Sequence, residues 1–283
     1  MSSTGDMRLV VTGATGRMGR SLVRTVAETP GTVLVGALAR PGNPAMGADA
    51  GVLAGVRKLG VPISDDALAS IANADGVIDF TSPESSIYFS ELSAQARVVH
   101  VIGTTGFSEE QELSIAAASR HAVTIKSANM SIGANIIQVL AEYVAGMLDE
   151  RFDIEILDIH HRDKVDAPSG TALMLGRATA RGRKVDFTEH AVFGRGADRL
   201  QRSARKKGEI GFASQRQGSV ICDHTVSFAG HSERIILRHV ADNRQLFAEG
   251  AIKAALWGRN RVPGLYSLAD VLDLKGKYPI DMQ

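Results

Sequence analysis

The 283-residue chain has a single cysteine, Cys222, so no intramolecular disulfide can form and no cysteine-rich zinc site can be assembled. A cytoplasmic location is the expectation. Aromatic residues make up only 5% of the chain while glycine reaches 29 residues, so the core is aliphatic and the backbone often turns tightly or approaches something closely. Neither charge sign prevails: 32 Lys+Arg stand against 31 Asp+Glu, which excludes a globally basic nucleic-acid binder and a polyacidic tail protein. The longest apolar stretch, Met130 to Leu148, is broken by Asn135, Gln138 and Glu142, so no membrane span is expected. Met1 to Asp6 lacks the basic and apolar regions of a signal peptide and reads as a short tail before a strand. With 44% hydrophobic and 22% charged residues, the composition is that of a globular α/β protein, and the length suits two domains.

Along the chain, Leu9-Val10-Val11 reads as a buried strand, Arg20 to Glu28 as a helix with its apolar positions at Leu22, Val23 and Val26, and Val33 to Leu38 as a second strand. Gly76 to Phe80, Val98 to Ile102 and His121 to Ile125 are further apolar runs, with a helix over Ser108 to His121. Strands alternating with helices predict a parallel sheet whose sites lie at the strand C-terminal ends. After Asn129 the pattern changes to a helix over Gly133 to Leu148, an alternating strand at Phe152 to Ile156, and strand-like stretches at Ile210 to Ser214, Val220 to Phe228 and Arg234 to Val240. Arg244 to Trp257 and Ser267 to Leu274 read as helices. The expected fold is therefore α/β: a Rossmann-like dinucleotide-binding domain over 1–130 and 241–283, and an α+β domain with an open mixed sheet over 131–240 for substrate binding and oligomerisation.

Gly13-Ala14-Thr15-Gly16-Arg17-Met18-Gly19 lies between the first strand and the first helix, the context a dinucleotide fingerprint requires. Its spacing is GxxGxxG; the other reading is a plain glycine-rich turn into a helix. No Gly-Lys-Ser/Thr closes the loop, so it is not a P-loop. Where an NAD-selective site carries Asp or Glu, the end of the second strand reads Leu38-Ala39-Arg40. Arg40, with Arg17 from the turn, suits a 2′-phosphate, so NADPH is the favoured cofactor and NADH remains possible. Two more turns belong to the same surface, Gly103-Thr104-Thr105-Gly106 and Ser127-Ala128-Asn129-Met130. Their small residues and hydroxyls suit the neighbourhood of a nicotinamide.

The densest segment is Asp158-Ile-His160-His161-Arg-Asp-Lys164-Val-Asp166-Ala-Pro-Ser169-Gly170-Thr171. Adjacent histidines on a strand point to opposite faces. Ser169-Gly170-Thr171 opens an Ala-rich helix, and its first amides, the Thr171 hydroxyl and Lys164 make a carboxylate-binding set. A histidine titrating near neutrality supplies a proton donor beside it. Taken singly, each has a structural alternative: His160 a core histidine, Lys164 a solvated charge, Thr171 a cap.

Gly13 to Gly19, Gly103-Thr-Thr105, His160 to Ala172 and Gly264-Leu-Tyr-Ser-Leu-Ala-Asp-Val-Leu-Asp-Leu274 together resemble the dihydrodipicolinate reductase family over nearly the whole chain. The resemblance implies NAD(P)H-dependent, metal-free reduction of a small cyclic dicarboxylate in lysine and diaminopimelate biosynthesis, by a homotetramer. It places the general acid on His160, a proton-donating or substrate-positioning role on Lys164, and substrate-carboxylate contacts on His161, Gly170 and Thr171. It places cofactor contacts on Gly13, Ala14, Thr15, Gly16, Arg17, Met18, Arg40, Gly103, Thr104, Thr105, Ser127, Ala128, Asn129 and Met130. Ala39 departs from the Glu commonly found before that arginine, which counts against efficient NADH use.

Two rivals share the glycine turn. A short-chain dehydrogenase needs Tyr and Lys four apart, which none of Tyr88, Tyr143, Tyr266 or Tyr278 provides. A redox sensor would bind NADPH without consuming it and would not need the histidine-lysine set. The basic run Arg181 to Lys207 reads as a solvated loop, and Cys222 with His224 as a structural pair on one strand face.

Overall fold

Strand β1 (Met7–Val11) is the apolar run of the N-terminal segment, with Leu9, Val10 and Val11 fully buried. The structure is a computed structural model that describes residues 5–195 and 204–274. After β1 come α1 (Arg17–Glu28), β2 (Thr32–Leu38), α2 (Ala50–Ala54), β3 (Ile63–Ser64), α3 (Ala67–Ala72), β4 (Gly76–Asp79), α4 (Pro83–Ala96), β5 (Val99–Ile102), α5 (Glu109–Ala118) and β6 (Val123–Lys126). Local chemistry sets several of these starts. Ser82 caps α4 with Pro83 in its first turn, and Ser108 with Gln111 forms a capping box on α5. Helix α1 begins at Arg17, three residues before the expected start at Arg20, and already turns Met18 and Gly19 inward ahead of the Leu22-Val23-Val26 stripe.

Next follow α6 (Ile132–Met147), β7 (Asp153–His160), α7 (Gly170–Arg183), α8 (Phe187–His190), β8 (Ala191–Phe193), β9 (Ile210–Arg216), β10 (Cys222–Ala229) and β11 (Arg234–Ala241). The described chain ends with α9 (Gln245–Gly258), β12 (Gly264–Tyr266) and α10 (Leu268–Val271). Two compact units result: Met1–Ile132 with Arg244–Gln283, and Gly133–Asn243.

The first unit holds a seven-stranded sheet in the order β12-β6-β5-β4-β1-β2-β3, with every pairing parallel. Leu22, Val23 and Val26 of α1 join Leu9, Ile78, Ile125 and Ile252 in one aliphatic core. Burying each such side chain stabilises the fold by about 1.5–3 kcal/mol. Where a helix was expected from Ser267 to Leu274, α10 is a single turn, and Gly264–Tyr266 instead extends the sheet beside β6. Three residues with one tyrosine carry no strand periodicity to read.

The second unit holds a five-stranded mixed sheet, β11-β10-β7-β9-β8. Strand β7 runs antiparallel to β10 and parallel to β9. Ile154 and Ile156 of β7, Phe212 of β9 and Val226 and Phe228 of β10 bury one face, together with Leu175 of α7. The strand period of two puts Asp158 and His160 at the far end of that same face. Register then sets His224 and Ser214 on either side of Asp158, and Arg216 beside His160.

Within the basic run, several of the cations that the structure describes are paired with acids. Arg181 pairs with Glu142, Arg195 with Glu209 at 2.7 Å, and Arg205 with Asp153 at 2.9 Å, so neighbouring acids hold these cations within the unit. Arg199 and Arg202 lie outside the described residues.

Candidate active site

In the first unit the glycine turn is shaped by close approach. Gly13 has φ +61, and a Cβ there would also stand 3.1 Å from Thr81 Cγ2. A Cβ on Gly19 would run into the Gly13 carbonyl and come within 2.7 Å of Ala14 Cα. Gly16, the N-cap of α1, brings no side-chain cap, which leaves the first amides and the positive end of a 12-residue helix facing outward. Backbone bonds tie the turn to its neighbours: Ala14 N donates to Leu38 O at 2.9 Å and Thr12 N to Ile78 O at 3.1 Å.

A cleft of about 590 Å³ opens there, lined by Gly13, Thr15 and Gly16 from the turn, Ala39 and Arg40 after β2, and Phe80 after β4. A cradle that side chains would fill, beside a helix N-terminus and an exposed arginine, fits the diphosphate and ribose of a dinucleotide. The cleft brings the turn and Arg40 together. Arg17 is exposed as the first residue of α1, whereas Ala14 is buried and Met18 packs against the core.

The two later turns follow β5 and β6 at the same end of the sheet. Gly103 passes so close to Phe80 that any side chain would strike the ring, and Thr104 Oγ1 accepts from Thr81 N at 3.0 Å. Thr105 and Ala128 are exposed, Ser127 Oγ donates to Asn129 O at 2.8 Å, and Asn129 Oδ1 accepts from Ser131 N at 2.7 Å. Met130 is 1% exposed and belongs to the core, so its backbone alone can face a ligand.

Asp79, fully buried at the end of β4, accepts from Thr12 Oγ1 at 3.0 Å and Thr81 Oγ1 at 2.6 Å. His100 Nε2 lies 3.5 Å from its other oxygen, and His100 Nδ1 meets Ser90 Oγ at 3.2 Å. Burial opposes the Asp79 charge, yet the His100 contact and the hydroxyls outweigh it and hold the carboxyl below its ordinary range. This pair fixes the ends of β1 and β4 from inside.

In the second unit Asp158, 1% exposed, gathers the His160 to Thr171 stretch around it. Its Oδ2 accepts from Ser169 N at 3.0 Å and Ser214 Oγ at 3.2 Å. Its Oδ1 lies 2.9 Å from His160 Nδ1 and 3.1 Å from His224 Nε2. Neither ring is aligned for an ordinary hydrogen bond to Oδ1. Burial again opposes the charge, and the adjoining His160, His224 and Ser169 outweigh it, leaving the Asp158 carboxyl far below its ordinary range.

Ser169 caps α7 by accepting from Ala172 N at 3.2 Å, and its hydroxyl also meets His224 Nε2 at 3.0 Å. Gly170 and Thr171 thus head a 14-residue helix beside His160 and its aspartate. Lys164 Nζ is held by Asp166 at 2.6 and 2.8 Å, showing that its ammonium accommodates a carboxylate. Arg216 steadies that loop by donating to Lys164 O at 3.2 Å and Asp166 O at 2.5 Å. His161, half-buried, leaves the strand just past His160.

Sequence reasoning missed Asp158, Ser214 and Arg216, and treated His224 as structural. The two-residue step from Asp158 to His160 was the only local signal. Ligand atoms of Asp158, His160 and His224 lie within 4.8 Å of one another, as do those of Cys222, His224 and His239. Asp158 Oδ2 accepts from Ser169 N and Ser214 Oγ, and Oδ1 is the oxygen that faces the two imidazoles.

Comparison with known proteins gives a consistent result. Residues 7–130 match the family described as "Dihydrodipicolinate reductase, N-terminus", and residues 133–272 match "Dihydrodipicolinate reductase, C-terminus". The chain is 57% identical over 273 residues to the 4-hydroxy-tetrahydrodipicolinate reductase of Methylocella silvestris, covering 96% of this chain and 99% of that one. It is 54% identical over 272 residues to the enzyme of the same name from Beijerinckia indica, covering 96% and 99%. Among solved structures, a dipicolinate-bound dihydrodipicolinate reductase from a Paenisporosarcina species superposes with a TM-score of 0.71 at 26% identity, covering 93% of this chain and 97% of that one.

Proposed function

The chain belongs to the dihydrodipicolinate reductase family, and on that premise we propose how its residues carry out the family's reaction. It is an NAD(P)H-dependent oxidoreductase that reduces the dipicolinate precursor to tetrahydrodipicolinate in lysine and diaminopimelate biosynthesis. The sensor reading gives way to an enzyme. The observation that carries the site assignment is the end of β7, where His160 beside a buried carboxylate adjoins the N-terminus of α7.

The substrate is a small dicarboxylate. One carboxylate takes the Gly170 and Thr171 amides and the Thr171 hydroxyl, where the dipole of α7 favours negative charge. Lys164 and His161 hold the other, with Lys164 exchanging its Asp166 partner for the substrate. When bound, the nicotinamide cofactor supplies a hydride. Loss of water leaves the acceptor with a conjugated C=N, so hydride adds at one end and His160 Nε2 delivers the balancing proton at the other. The amides and Lys164 hold the acceptor in register while this occurs.

For the cofactor, the Gly13 to Met18 turn takes the diphosphate, Arg40 and Arg17 take a 2′-phosphate, and backbone at Gly103 to Thr105 and Ser127 to Met130 fixes the nicotinamide carboxamide. This favours NADPH. NADH use would draw on Asp65, a carboxylate in the lining of the cleft. Subunits assemble as a tetramer through the sheet of the second unit, whose β11 exposes Ile236 and Val240; a monomer in sedimentation would contradict this. The decisive experiment adds NADPH and the condensation product of aspartate semialdehyde and pyruvate to the protein. Nicotinamide absorbance is expected to fall, and no turnover would refute the reading.

A further inference from the structure

We propose that Asp158 is the positioning residue of this site, holding His160 by Nδ1 so that Nε2 faces the acceptor, while His224, Ser169 and Ser214 hold Asp158 itself. The inference rests on His160 being the proton donor. A buried carboxylate can be purely structural, as Asp79 is, so the case depends on what the Asp158 contacts leave over.

His160 is the last residue of β7, and Gln217 N donates to its carbonyl at 2.8 Å, which fixes the backbone but not the ring. Ring orientation falls to the Oδ1 contact at 2.9 Å and to the edge of His224, whose centroid lies 5.1 Å away at an interplanar angle of 69°. Among the described residues no hydrogen bond engages His160 Nε2 and the residue is 7% exposed, whereas His100 is fully buried, with Ser90 Oγ 3.2 Å from Nδ1 and Asp79 Oδ2 3.5 Å from Nε2.

Asp158 is in turn over-determined. The Ser169 amide and Ser214 hydroxyl hold Oδ2, and β9 and β10 pair with β7 in a register that leaves the carboxylate one place to go. Arg216, 3.6 Å from Oδ2, links the same carboxylate to the backbone of the Lys164 loop. One buried charge therefore orients the proposed donor and adjoins the anchor of the loop that carries the proposed carboxylate ligand.

Where an aspartate orients a catalytic histidine, asparagine keeps the shape but turns an amide N–H toward Nδ1 and selects the other tautomer. The test is a kinetic cycle on the full-length protein with Asp158→Asn, His160→Gln and the double variant, with cofactor binding as the check on folding. Asp158→Asn is expected to lower kcat by about 10²-fold with KM within about threefold, and to add less than about threefold on top of His160→Gln, because groups acting as a unit are not additive. If His160→Gln is impaired while Asp158→Asn keeps near wild-type kcat, or costs as much in the His160→Gln background as alone, the positioning role is overturned and the reductase assignment of His160 stands. If His160→Gln itself keeps full kcat, the donor assignment fails first and this inference fails with it.

A measurement on the unmodified protein covers the case in which Asp158→Asn does not fold. Nitrogen-15 spectra of the imidazoles, with the His160 signal identified by its loss in His160→Gln, are expected to show neutral His160 protonated at Nδ1. Protonation at Nε2 instead would overturn the proposal.

Discussion

Asp79 faces His100 in the first unit and Asp158 faces His160 in the second, and both aspartates are buried at the C-terminal end of a strand with their carboxyls held below the ordinary range. The histidines differ. His100 is fully buried, with Ser90 on one nitrogen and Asp79 on the other, so it can only brace the sheet. His160 is 7% exposed, sits at the last position of its strand, and has a helix N-terminus and a lysine loop beside it. Proximity of a carboxylate to an imidazole therefore says little about chemistry by itself. What distinguishes the second pair is an imidazole that is not fully enclosed and whose Nε2 has no hydrogen bond among the described residues.

The sharpest way to break this contrast is to change the two histidines alike. His160→Gln is expected to lower kcat by about 10²-fold or more, the range of acid catalysis, with the fold intact. His100→Asn is expected to leave kcat within about threefold while lowering unfolding free energy by about 1–3 kcal/mol, since it leaves buried polar groups unpaired. Equal effects on kcat would erase the distinction. Lys164→Ala is expected to reduce kcat by about 10²-fold as well, through lost positioning of the acceptor. Steady-state kinetics beside denaturant melts measures all three.

On the cofactor side the expected effects are smaller. Arg40→Ala is expected to raise the KM for NADPH by about tenfold, or about 1.4 kcal/mol, and to change that for NADH little. Ala39→Glu is expected to shift use toward NADH; equal use of both cofactors by the unmodified protein would remove the basis for the 2′-phosphate assignment. The aspartates also set an acid limit. Their folded pKa values lie below the unfolded value of about 3.9, so each stabilises the fold above about pH 4 and that contribution is lost as pH falls toward the folded value. Melts between pH 7 and pH 3 are expected to show a shallower acid decline for Asp79→Asn and Asp158→Asn than for the unmodified protein. The smallest effect expected is from Ser169→Ala, which removes the cap of α7 and costs about 1 kcal/mol, a drop of about 2–4 °C in melting temperature.

Much of this was legible in the residues because its causes are local. Gly13 needs a positive φ and Gly19 a bare backbone, and both demands show as glycine in the sequence. Ser169 announces the start of α7 because a cap acts within one turn. The alternating parallel half followed from short apolar runs between helical stripes, and the family resemblance from stretches of consecutive residues. Less visible was β12, too short to show a period, and the basic run, whose acidic partners come from elsewhere in the unit.

The sequence alone determined the glycine turn, the Arg40 position, the alternation of strands and helices in the first half of the chain, and the His160 to Thr171 stretch, since backbone conformation, capping and strand alternation depend on near neighbours. Only the tertiary structure decided which histidine was held by which carboxylate. Ser214 stands 56 residues from Asp158 and the Ser169 hydroxyl 55 from His224, and they meet because β9 and β10 align with β7 in the one register that buries Ile154, Ile156, Phe212, Val226 and Phe228 together. A slip of one residue would turn that apolar set to the other face, and Asp158 would lose its partners with it.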